Sequence, residues 1–109
     1  MGKILCVSNA YDKKYYLDNE FAKLPESIKE ELQIMCVLFT EDVGGILTLE
    51  FDDEGNLLFT TACDDGDLLY DEIGSVLKVK QIQARESEFL ESLEMYYKVF
   101  ILGQPFDEE

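Results

Sequence analysis

The chain has 109 residues, 47% of them hydrophobic, enough to bury one core and too many for disorder in spite of the charge. Nine lysines and arginines face 24 aspartates and glutamates, a formal net charge of −15; so negative a surface repels phosphate backbones and anionic membranes and favours a protein partner with a basic surface. Histidine is absent, which removes Ser-His-Asp and Cys-His catalysis and every His-containing zinc site.

The start, "MGKILCVSNAY", holds an apolar run too short for a secretory segment, and the longest uninterrupted one, residues 34–39, is far below the roughly 20 residues that span a bilayer. A cytoplasmic location is expected. Residues 4–10 and 14–17 are β-prone around "NAYDKK", where Asn9 and Asp12 can bond their own backbone in a turn, so a hairpin is predicted. Asp18 can cap a helical turn, "DNEFAK", which must stop before Pro25 because the residue before proline is pushed out of the α region.

Pro25 suits the first position of a helix, and Glu26, Glu30 and Glu31 supply the negative charge that its positive end favours. Ile28, Leu32, Met35 and Phe39 repeat at helical spacing, and from Ile34 the sequence is apolar all round, as for a helix entering a core. Residues 33–40 would also suit a strand, since Val37, Phe39 and Thr40 favour extended backbone. A glycine at position 44 ends the helix.

From position 46 the period becomes two. Residues 46–51 and 57–62 flank "DDEGN" and predict a second hairpin. The alternate acids of "EFDDEGN" imitate a calcium loop, but its twelfth position is Thr61, where a bidentate glutamate is required, and strands flank it. Beyond the acidic loop "CDDGD", Asp67 is the expected N-cap of a helix over 68–102, with Leu69, Ile73, Val76, Leu77, Ile82, Phe89, Leu93, Tyr96, Tyr97 and Phe100 as its apolar stripe. Unbroken it would reach about 50 Å at about 1.5 Å per residue. It must bend, near Gly74 or residues 79–83, or pack on a second copy in a homodimer. Residues 104–109 read as a frayed acidic tail.

The fold class is therefore α+β: one domain over residues 1–103, its elements in the order β-β-α-β-β-α, with an antiparallel sheet packed by two main helices, the C-terminal one long. Cys6, Cys36 and Cys63 are odd in number and lack C-x-x-C spacing, so neither a disulfide framework nor a zinc site is signalled. No phosphate-binding or cofactor motif occurs.

Two acid-glycine segments attract attention, "TEDVGG" at 40–45 and "DEIGS" at 71–75. The plain account is a helix end and a helix start. If they met in space, Glu41, Asp42, Asp71 and Glu72 could offer oxygens to Mg²⁺, Mn²⁺ or Ca²⁺, giving a metal-binding protein or metal-dependent enzyme as the alternative to a non-catalytic domain. Glu41 and Asp42 also oppose the dipole of the helix they end, at about 0.3–1 kcal/mol each.

Taken together, "KKYYL…F..LP..IK.EL", "IMCVLFTEDVGGILTLEFD.EGNL" and "YDEIGSVLK.KQ" resemble a small family of cytoplasmic proteins of unknown function from clostridial, anaerobic Gram-positive bacteria. The resemblance runs from Tyr11 to Phe100; it implies a stand-alone domain and carries over no catalytic, metal or cofactor residues. A weaker likeness in fold is to small toxin-immunity proteins. A non-catalytic interaction domain, regulatory or immunity-like, is the expectation.

Overall fold

The computed structural model describes residues 2–105, so the acids at 107–109 of the expected tail lie outside the described residues. Strands β1 (Lys3–Asn9), β2 (Lys14–Leu17), β3 (Ile46–Phe51) and β4 (Leu57–Ala62) form a four-stranded sheet in the order β2-β1-β3-β4. Every neighbouring pair is antiparallel. The turn between β1 and β2 is held as its residues predict: Asn9 Oδ1 accepts the N–H groups of Tyr11 at 2.9 Å and Asp12 at 3.2 Å.

Register explains which side chains enter the core. Cys6 pairs with both Leu17 and Leu49, and Leu49 with Phe59, so these four share the helix-covered face. Along β3, Leu47, Leu49 and Phe51 are buried while Ile46, Thr48 and Glu50 are only partly covered, the expected period of two. In β1 a bulge between Ile4 and Cys6 adds one residue, and Leu5 and Cys6 are consecutive yet both fully buried.

Residues 33–40 are helical. They lie in α1 (Glu26–Val43), which buries Leu32, Met35, Cys36, Phe39 and Thr40 against the sheet. Pro25 stands one place earlier than predicted, at the N-cap, where its carbonyl accepts the Lys29 N–H at 3.0 Å. The helix is not apolar all round toward a core: Ile34 and Leu38 face outward, 59% and 57% exposed.

The single helix expected over 68–102 is two. Its first part is α2 (Glu72–Arg85) and its second α3 (Ser87–Tyr96), continued by a π-helical turn over Tyr97–Ile101. The interruption is at Glu86, with φ −106° and ψ 25°, rather than at Gly74 or 79–83. It turns the chain so that Ile82, Leu90, Leu93 and Tyr97 are all buried in one core. The cap is Asp71 rather than Asp67: Asp71 Oδ1 accepts the Gly74 N–H at 2.9 Å, whereas Asp67 accepts the Tyr11 hydroxyl at 2.6 Å and the Leu69 N–H at 3.1 Å. Leu69, which now precedes α2, and Ile73, Val76 and Leu77, which lie on it, are all exposed, outside the core that the sequence pattern assigned them to; α2 buries Ser75 and Ile82 instead.

Aromatic rings close the other end. Phe51 and Tyr97 stack with centroids 4.1 Å apart, and Phe21, on the short turn capped by Asp18, lies 6.2 Å from Tyr97. There Glu94 Oε2 accepts the Leu57 N–H at 2.7 Å and ties α3 to β4.

Candidate functional site

The acid-glycine segments do approach each other, and glycine is the reason. Gly45, at φ +72°, lies against the Tyr70 ring so closely that a Cβ there would be 2.6 Å from Cε1 and 2.5 Å from the Ala62 carbonyl oxygen. Nearly two turns into α2, Lys78 Nζ reaches Asp42 Oδ2 at 3.1 Å. This lysine is the cation beside the acidic C-terminus of α1; the pair is largely solvated, so it contributes little to stability.

The four acids do not share one cavity. Asp71 caps α2, and it lines with Glu72 an open depression beside Cys63, Asp64 and Asp67. Glu41 lines a separate cleft between α1 and the first hairpin. Among the described residues no group of three or more Asp, Glu, Cys or His side chains is placed to hold a metal ion. In "EFDDEGN" Asp52 Oδ1 accepts the N–H groups of Glu54 and Asn56, both at 2.9 Å, so that carboxylate closes a hairpin turn.

Two of the three thiols are poor thiolates at neutral pH. The Cys6 thiol, 3.7 Å from Cys36, pushes Cys36 well above the usual range, and burial adds to this. Burial, then the charge of Asp67 and its acidic neighbours, raises Cys63.

The most distinctive surface is apolar. Helices α1 and α2 lie side by side, with a groove of about 250 Å³ between them; Ile34 and Leu38 stand on its α1 wall, Lys78, Ile82 and Arg85 on its α2 wall. Ile34 and Leu38 are one turn apart, as are Ile73 and Leu77 on the outward side of α2. Ahead of α2, Leu68 and Leu69 are 93% and 95% exposed, and Ile73 is 75% exposed. Exposed aliphatic side chains therefore stand on both helices, Ile34 and Leu38 on α1 and Ile73 and Leu77 on α2.

Charge on the groove's lining is balanced, Glu31 and Glu86 against Lys78 and Arg85, and Asp42 beside Lys78 tips it negative by one. Both cations on its wall are already matched by acids, Lys78 by Asp42 and Arg85 Nε by Glu86 at 3.5 Å, while Glu31 adds a further carboxylate. Sequence reasoning placed these aliphatic residues in the core because an apolar stripe reads the same whether it is covered by the chain or by a partner. The available signal was the excess: Ile34 and Leu38 widen α1 beyond the stripe that one sheet can cover.

No helix among the described residues is long and apolar enough to cross a membrane. No curated protein and no solved structure is significantly similar to the chain. Residues 2–105 match one protein family, and the chain belongs to it: the family of unknown function DUF6145.

Proposed function

We propose that the protein is a non-catalytic, cytoplasmic interaction domain that receives a protein partner on the outward surface of α1 and α2. What supports this is the exposure of aliphatic side chains on both helices, Ile34 and Leu38 on α1 and Ile73 and Leu77 on α2. The partner is an amphipathic element carrying lysine or arginine beside its apolar residues. Its apolar side chains would cover the aliphatic surface, and its cations would meet Glu31, among the described residues the one carboxylate on the groove that its two cations leave unmatched. An immunity-like inhibitor of a basic protein and a regulatory adaptor are both of this kind.

A second copy of the chain is a poorer occupant. Each chain carries −15, so association would bring two strongly negative surfaces together. A homodimer would be seen by light scattering as a mass near twice 12.5 kDa.

The test uses two helical peptides of equal length, one of leucine and lysine, the other of leucine and glutamate, titrated into isotopically labelled protein. The lysine peptide should move the resonances of Ile34, Leu38, Ile73 and Leu77, more weakly as salt is raised. Equal effects of both peptides, or perturbations that avoid these residues, would remove the support for a basic partner here.

A further inference from the structure

A second cleft, of about 600 Å³, lies on the other side of α1, where the first hairpin folds against it. Its size falls within the range of small-molecule sites. One wall is the hairpin, with Ser8, Lys13, Lys14 and Tyr15; the opposite wall is α1, with Thr40 and Glu41.

Four observations distinguish this cleft from an ordinary surface hollow. Lys13 and Lys14 are in no ion pair among the described residues, although the chain carries 24 acids, and Glu41 across the cleft is equally unpaired. At the floor Ser8 Oγ and Thr40 Oγ1 are 2.8 Å apart and buried. Thr40 can give its proton to the Val37 carbonyl at 3.1 Å, which leaves Ser8 as the donor to Thr40 and its oxygen with room to accept. The Tyr15 hydroxyl is shielded from solvent with no hydrogen-bond partner of proper geometry. Burial, with the Cys6 and Cys36 thiols nearby, holds that phenol protonated far above neutral pH. A shielded polar group left unmatched is uncommon and costs stability. Lys13 itself has φ +53°, a backbone conformation that a non-glycine residue seldom adopts and that concentrates at functional positions.

From this cleft we infer a binding site for a small zwitterion, a free amino acid or short peptide, whose carboxylate is held by Lys13 and whose ammonium group is held by Glu41. The hairpin wall is cationic, the helix wall is anionic, and the polar floor between them suits amide or hydroxyl groups. A simple anion would leave Glu41 unmatched, and a simple cation would leave Lys13 unmatched. Because the net charge of −15 disfavours anions at long range, a ligand of zero net charge is also the one least opposed on approach. The site is independent of the α1–α2 docking surface and stands or falls separately.

The experiment is a titration of labelled protein with a set of single L-amino acids and with trialanine, beside succinate and 1,4-diaminobutane as ligands of one charge sign. At least one zwitterion should shift the resonances of Ser8, Tyr15, Thr40 and Glu41 saturably, and neither single-sign ligand should match it. Lys13→Ser, and separately Glu41→Gln, should each weaken that binding at least tenfold while leaving the melting temperature close to that of the parent, since both side chains are exposed. The inference is overturned if no zwitterion produces a saturable shift at millimolar concentration. It is equally overturned if succinate or the diamine binds as well as the zwitterions, or if the variants bind unchanged.

Discussion

Replacing Gly45 with alanine tests how the two acid-glycine segments are joined. At Gly44, φ is +85° and ψ −170°, a region open almost only to glycine, but a Cβ there would meet nothing within 4 Å. Gly44→Ala should therefore show backbone strain alone, about 1–3 kcal/mol. At Gly45 a similar strain applies, and a Cβ would also lie 2.5 Å from the Ala62 carbonyl oxygen and 2.6 Å from the Tyr70 ring. Forcing a methyl into so filled a space adds about 1–3 kcal/mol. Urea unfolding of both variants should thus place Gly45→Ala below Gly44→Ala by about that increment. Adding Tyr70→Ala should recover part of the increment, because the ring is one of the two obstacles and the Ala62 carbonyl is the other. Equal losses at 44 and 45, or a Tyr70→Ala effect that simply adds to Gly45→Ala, would refute the contact as the junction between the segments.

Other outcomes follow from single contacts. Glu94→Ala leaves the Leu57 N–H without its acceptor and should cost about 1–3 kcal/mol in urea unfolding and speed exchange of that amide; Glu94→Gln, which keeps an oxygen, should lose less. Stability should fall as the pH drops below about 4. The N–H groups of Asn56 and its neighbours hold Asp52 below the usual carboxylate range, and the Glu20 N–H, then Lys3, do the same for Asp18. A lowered folded value gives stability that is present above the unfolded value and is lost as pH falls through the folded one, so Asp52→Asn should flatten the acid limb of a melting-temperature profile. Removal of metal with EDTA, then addition of Mg²⁺, Mn²⁺ or Ca²⁺ at millimolar concentration, should leave the melting temperature unchanged. A saturable rise that is lost in Asp71→Asn would instead place a metal on the acids of the second segment.

Local chemistry made much of the fold legible. Asn9 at the first turn, Asp18 at the helical turn, the glycine at 44 and the alternation of residues 46–51 act through neighbours a few positions away, and each does in the structure what its type predicts. The ambiguity of residues 33–40 was resolved by packing, since Leu32, Met35, Cys36 and Phe39 reach one core only from a helix. Asp67 and Asp71 are equally good caps in isolation; the Tyr11 hydroxyl, distant in sequence, occupies Asp67. The break at Glu86 has no proline or glycine to announce it, and it is where the chain must turn for Leu90 and Leu93 to follow Ile82 into the core.

The candidate surface was hidden for a related reason. Hydrophobic spacing marks residues that avoid water without saying what covers them, and Ile34, Leu38, Ile73 and Leu77 share the spacing of core positions. Glu41 and Asp42 drew attention as a pair and prove to have different surroundings, Asp42 beside Lys78 and Glu41 in the cleft with Lys13 and Lys14.

The most direct measurement is on the double variant Leu38→Ser with Leu77→Ser, comparing its unfolding free energy and its affinity for the leucine-lysine peptide with those of the parent. Side chains this exposed contribute little to folding. A docking surface therefore predicts stability within about 1 kcal/mol of the parent and peptide affinity reduced at least tenfold. A loss of stability like that of a core leucine, about 2–5 kcal/mol, or peptide binding that is unchanged, would contradict it.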